Sequence, residues 1–172
     1  MDERLASKLR GIRLAVFDVD GVFTDGRLYR GPGGFEMKVF HTRDGHGVKA
    51  LLRAGIEVAV ISGRHSEAVS ERMAELGVDS VHAGVSDKLP CLRDLLTELE
   101  LSPDHCAFMG DDVVDLPPMQ EVGFAGAPAD AHPEVRARAH WLAEAPGGFG
   151  AVRQFCDLIL AARGEDTGYA GN

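Results

Sequence analysis

The stretch IRLAVFDVDGVFTDG, residues 12–26, decides how the rest of the chain is read. Its opening, IRLAVF, is a short apolar run that suits a strand buried on both faces of a parallel sheet. Asp18 and Asp20 then fall where that strand ends, with Gly21 directly after. Similar runs recur as EVAVIS (57–62), SVHA (80–83), HCAFMG (105–110) and VGFA (122–125). Between them lie three helical patterns. HGVKALLRAG stops at Gly55, EAVSERMAELG stops at Gly77, and KLPCLRDLLTELEL precedes the turn Ser102-Pro103-Asp104. Each spaces its apolar residues as one helix face requires and ends on a turn residue. The alternation predicts βαβ units and a three-layer, Rossmann-like α/β fold on a parallel sheet.

One segment departs from the alternation. VFTDGRLYRGPGGFEMKVFHTRDG reads as two alternating strands around Gly31-Pro32-Gly33-Gly34, a β-hairpin inserted at about 22–41. No other insertion is long enough for a cap domain, so residues 1–163 are expected to form a single domain. The polar, Gly-rich 164–172 is expected to be a flexible tail.

The 172-residue chain carries a net charge of −9, which argues against nucleic acid or an anionic membrane as partner. No apolar run approaches the roughly 20 residues that span a bilayer, and MDERLASKLRG lacks the apolar core of a secretory signal. A cytoplasmic location is expected. Cys91, Cys106 and Cys156 show no CxxC spacing and are odd in number, so they read as unpaired thiols.

The chemical signal is positional. Asp18 and Asp20 end one strand, and Asp111, Asp112 and Asp115 follow another, again just past a glycine, Gly110. In an open parallel sheet the carboxyl ends of the strands form the ligand crevice. Carboxylates crowded there repel one another, and a divalent cation relieves the repulsion; oxygen-only ligands select magnesium over zinc. Ser62-Gly63-Arg64, at a third strand end, offers a hydroxyl and amides to an anion, and Lys88 offers an ammonium. Together these groups fit phosphoryl transfer, which needs positioning and charge neutralisation around an in-line displacement.

On DVDGVFTDG, SGR (62–64), Lys88 and GDDVVD (110–115), the sequence resembles the haloacid dehalogenase superfamily of phosphatases. Within it, FHTRDGHGVKALLRAGIEVAVISGR, SDKL, GDDVVDLPPM, ADAHPEVRARA and GGFGAVRQFCDLIL are similar to the family that dephosphorylates 3-deoxy-D-manno-octulosonate 8-phosphate. The resemblance runs from about residue 12 to residue 163. It implies that Asp18 is the nucleophile and that Asp20 is the general acid, then the general base. It implies Mg2+ held by Asp18, the Asp20 carbonyl and Asp111, with Asp112 and Asp115 supporting them from outside. Ser62, Gly63 and Lys88 would hold the phosphoryl group. His41, Thr42, Arg43, Asp44 and Gly45 match a segment lining the substrate site; Lys49, Arg64 and Arg72 match its cationic positions. Arg64 and Arg72 would share a face if one helix carried both. The chain departs from the pattern at His41, where relatives often have Asn, and at Phe149 and Gln154 in the C-terminal segment.

Without a cap the site would be open, and Val22, Phe23, Leu28, Tyr29, Phe35, Met37, Val39 and Phe40 of the hairpin would need a cover. The resemblance implies a homotetramer in which one subunit covers its neighbour's site. Two other readings stay open: a phosphatase of nine-carbon sugar-acid 9-phosphates, and a non-catalytic oligomerisation module.

Overall fold

The computed structural model describes residues 3–165. In chain order it contains α1 (Glu3–Arg10), β1 (Leu14–Phe17), β2 (Tyr29–Arg30), β3 (Glu36–Met37), α2 (Thr42–Arg53), β4 (Glu57–Ser62), α3 (Glu67–Leu76) and β5 (Ser80–Ala83). Then follow α4 (Lys88–Glu98), β6 (Cys106–Met109), α5 (Leu116–Glu121), β7 (Phe124–Ala127), α6 (Pro133–Arg136), β8 (Trp141–Leu142) and α7 (Ala151–Arg163).

All four residues of β1 are buried, as an unbroken apolar run predicts for a central parallel strand. Six parallel strands lie in the order β5-β4-β1-β6-β7-β8. The chain builds one way from β1 to β5, then crosses back to build the other way from β6. The crevice of such a sheet opens where the order reverses, beside β1. Alternation along β1 feeds two cores. Ala15 and Phe17 join Val48, Leu51, Phe155 and Ile159 on the side of α2 and α7. Leu14 and Val16 join Leu92, Leu96, Met119 and Val135 on the side of α4, α5 and α6.

Phe155 of α7 is fully buried and anchors the first core. Its ring stacks on Phe124 at 5.6 Å, meets Phe17 edge-on at 5.8 Å and lies 5.9 Å from Trp141. The alternation read from the sequence stops at VGFA, whereas the structure continues it through α6, β8 and α7. Strand β7 begins at Phe124 rather than Val122, because Gly123 is used in the turn that packs against the Asp104 backbone.

The hairpin is present but shorter than expected. Only Tyr29↔Met37 and Arg30↔Glu36 pair, across a tight turn at Pro32–Gly34. Val22 and Phe23 belong to the core instead, because the chain turns at once and the amides of Val22, Phe23 and Thr24 all bond Val19 O. Leu28, Phe35, Met37 and Val39 are exposed. Residues 166–172 of the expected tail lie outside the described residues. Among the described residues, no helix is long and apolar enough to cross a membrane.

Truncating Phe155 would empty the centre of an aromatic cluster. Phe155→Ala is expected to cost about 3–5 kcal/mol, read as a fall in thermal midpoint of roughly 10 °C.

Candidate active site

The sheet register sets the site. Phe17 lies level with Val60 of β4 and Met109 of β6, so Asp18 and Gly110 leave their strands side by side, while β4 runs two residues further to Ser62. Asp18 is buried, its amide bonded to Met109 O at 2.9 Å. Lys88, the first residue of α4, reaches in to place its ammonium 2.8 Å from Asp18 Oδ1 and 2.6 Å from Asp115 Oδ1. Asp87 starts that helix by accepting a bond from the Leu89 amide, which fixes where Lys88 departs.

Asp115 is fully buried, and its second oxygen accepts the amides of Asp111 at 3.0 Å and Asp112 at 3.2 Å. Asp111 crosses to the β1 loop, where a Cβ on Gly21 would fall 2.0 Å from Asp111 Oδ2. Gly21 also has φ +87, so both approach and backbone require glycine. Asp112 is exposed and caps the short turn Val113–Asp115.

A cavity of about 440 Å³ brings together Asp18, Asp20, Ser62, Gly63, Arg64, Lys88, Asp111 and Asp112. Its carboxylates outnumber the ammonium among them. Burial, then the charge of Asp115, pushes Asp18 up to about 6 despite the opposing pull of Lys88. Burial, then the charges of Asp18, Asp115 and Asp112, pushes Asp111 up to about 8. Asp111 Oδ1 is buried without a hydrogen-bond partner among the described residues. Asp18, Asp111 and Asp115 can each offer an oxygen within 4.8 Å of the others. Asp115 already spends both oxygens on Lys88 and two amides, so Asp18 and Asp111 are the better placed to bind a cation. Hard oxygen donors, an orphaned carboxylate oxygen and unrelieved repulsion fit a magnesium-type ion.

Several residues read from the sequence lie outside this cavity. His41 caps α2, its Nδ1 accepting the Arg43 amide, and Thr42 and Arg43 are exposed in the first turn. Asp44 is buried and turned away, its Oδ1 accepting the Arg153 amide at 2.9 Å. Gly150 leads into α7 without a side-chain cap, so Asp44 supplies one from another helix. Gly45 gives way to Arg72, whose guanidinium lies 2.4 Å from where a Cβ would be. Lys49 is exposed. Arg64 and Arg72 do not share a helix: α3 starts at Glu67, so Arg64 stays in the loop at the cavity while Arg72 packs over Gly45 and pairs with Glu75. At the departing positions, Phe149 is exposed and Gln154 accepts the amides of Glu144 and Ala145.

Three features were not read from the sequence. Lys38 donates to Asp20 Oδ1, and Glu36 holds the Arg64 guanidinium. Alternation gives the signal, since residues two apart on a strand share a face. The third is Gly147, which packs directly on the Gly21 carbonyl and leaves no room for a Cβ.

No protein-family model matches the chain. It is 45% identical over 159 residues to the 3-deoxy-D-manno-octulosonate 8-phosphate phosphatase KdsC of Escherichia coli K12, covering 92% of this chain and 85% of the relative. The chain belongs to the 3-deoxy-D-manno-octulosonate 8-phosphate phosphatase family. The crystal structure of the family member from Yersinia pestis superposes with a TM-score of 0.94 at 41% identity, covering 96% of this chain and 89% of that one. The phosphatase of Moraxella catarrhalis, solved with magnesium, phosphate and KDO, superposes at 0.93 with 37% identity, covering 95% and 94%. A HAD-superfamily hydrolase of Legionella pneumophila superposes at 0.92 with 42% identity, covering 94% and 89%.

Because Asp111 binds its proton more tightly in the folded phosphatase than in the unfolded chain, the metal-free protein should lose stability as pH rises from about 4 to about 8. Asp111→Asn is expected to raise the thermal midpoint in chelator at pH 8 by about 3–8 °C, with little change at pH 4. The same variant should lose the midpoint rise that magnesium gives the wild type.

Proposed function

We propose that this chain hydrolyses 3-deoxy-D-manno-octulosonate 8-phosphate to the free sugar acid and inorganic phosphate through an aspartyl-phosphate on Asp18. The observation that carries the reading is the convergence of Asp18, Asp20, Ser62, Lys88 and Asp111 in one cavity of a chain belonging to this family.

An Asp18 carboxylate oxygen attacks phosphorus as the bond to the sugar oxygen breaks, and that oxygen takes a proton from the Asp20 carboxyl. Water then attacks phosphorus, giving its proton to the Asp20 carboxylate. The bond to Asp18 breaks, returning the carboxylate and releasing phosphate. Ser62 Oγ–H and the Gly63 amide hold phosphoryl oxygens. Lys88 uses two of its three protons on Asp18 and Asp115, which leaves one for the phosphoryl group. Asp18, the Asp20 carbonyl and Asp111 would hold Mg2+, which supplies charge neutralisation at the transferring phosphoryl group. Asp112 and Asp115 brace that set.

Arg64, at the cavity, takes the sugar-acid carboxylate, for which a guanidinium fork is suited. The protein acts as a homotetramer in the cytoplasm, each chain forming one domain with the hairpin as an insertion. Support comes from the outward Leu28, Phe35, Met37 and Val39, an apolar set costly to leave in water. His41, Thr42, Arg43, Lys49 and Arg72 then serve a neighbour's site; Asp44 and Gly45, spent on helix packing, do not.

Phosphate release from eight- and nine-carbon sugar-acid phosphates and hexose phosphates should depend on magnesium and favour the eight-carbon ester. Asp18→Asn should lower it by at least about a thousandfold. Equal, weak release from all esters would sink the substrate assignment, and no release from any would favour an oligomerisation module. Sedimentation should show four chains, and Phe35→Asp with Val39→Asp should shift the protein to smaller species.

A further inference from the structure

We infer that Lys38 positions the general acid–base Asp20, which makes the hairpin part of the catalytic apparatus; this rests on the phosphatase reading above. Glu36 and Lys38 are two apart and turn toward the site, where they meet Arg64 and Asp20. The residues between and beyond, Met37 and Val39, point out and are 47% and 53% exposed. The hairpin is therefore inverted relative to an ordinary surface ribbon, with charges inward and apolar groups outward.

The Lys38 side chain is only 2% exposed. An ammonium buried for packing alone would be a poor choice, since desolvation is costly unless carboxylates compensate it. Here they do: Nζ donates to Asp20 Oδ1 and lies 3.6 Å from Glu36 Oε1. The chemistry explains why Asp20 gains from being held. One carboxyl oxygen must give a proton to the departing sugar oxygen and later take one from water arriving on the same side of phosphorus. A carboxyl free to rotate would divide its time between productive and idle orientations. Lys38 ties down Oδ1 and leaves Oδ2 for the proton transfers. The Arg64 Nε lies 3.8 Å from that oxygen, beyond hydrogen-bond reach.

The alternative role for Lys38 is a simple latch that keeps the hairpin on the body. Leaving-group dependence separates the two. A sugar alkoxide needs protonation as it leaves, whereas p-nitrophenolate does not. For Lys38→Met with magnesium present, kcat on 3-deoxy-D-manno-octulosonate 8-phosphate should fall by about a hundredfold, with KM moving less than about threefold. On p-nitrophenyl phosphate the variant should release a burst of nitrophenol equal to the enzyme. Slow turnover should follow, because only hydrolysis of the aspartyl-phosphate still needs Asp20. Lys38→Arg should recover part of kcat.

Glu36→Gln weakens the other tie between hairpin and body while sparing the Asp20 contact, and should show no burst. Equal losses for Glu36→Gln and Lys38→Met on both substrates, without a burst, would identify a latch and overturn the inference. Wild-type kcat in Lys38→Met would overturn it as well, leaving the phosphatase reading intact. A wild-type chain that releases phosphate from neither ester would overturn both.

Discussion

Mutual repulsion among carboxylates at the ends of two neighbouring strands is the constraint around which this molecule is arranged. Asp18, Asp111 and Asp115 are brought within reach of one another by the pairing of β1 with β6. Among the described residues, one buried ammonium, that of Lys88, pairs with Asp18 and Asp115. Burial and like charge raise the proton affinity of Asp18 and Asp111. A cluster of this kind works against folding, and the scaffold beneath must offset it. The aromatic packing of Phe155 with Phe17, Phe124 and Trp141 lies directly under the loop that carries Asp18. The same repulsion is what gives a divalent cation its hold, because binding removes an unfavourable term already present.

Rigidity near the cluster comes from close backbone approach. Gly21 lets Asp111 lean across the β1 loop, and Gly147 lets the segment before α7 lie on the Gly21 carbonyl. The Gly148 amide bonds Val22 O at 3.0 Å and ties the same two pieces together. The C-terminal segment thus braces the loop that follows Asp18 in its own chain. Asp44 caps α7 from α2 and joins this support, so its burial is explained by helix capping.

The hairpin is short, with two paired residues on each strand, and is tied to the body by Lys38–Asp20 and Glu36–Arg64. Its inward charges meet Asp20 and Arg64 on one face, while Leu28, Phe35, Met37 and Val39 stay exposed.

Strand–helix alternation, the carboxylates at strand ends and the glycines beside them were legible because each is a local property. An apolar run ending in Asp-x-Asp-Gly places its acids at a sheet edge whatever surrounds it. The partners of those groups were not legible. Whether Lys38 meets Asp20, whether Asp44 faces the cavity or a helix end, and whether Arg64 and Arg72 act together depend on where elements distant in sequence cross. Val22 and Phe23 show the same limit, since their alternation suits a hairpin strand, yet three amides turning onto Val19 O send them into the core. By itself the sequence determined which chemistry the strand ends can carry. Only the tertiary structure decided which charges share a cavity, because ion pairs and helix caps are set by distances across the fold rather than by spacing along the chain.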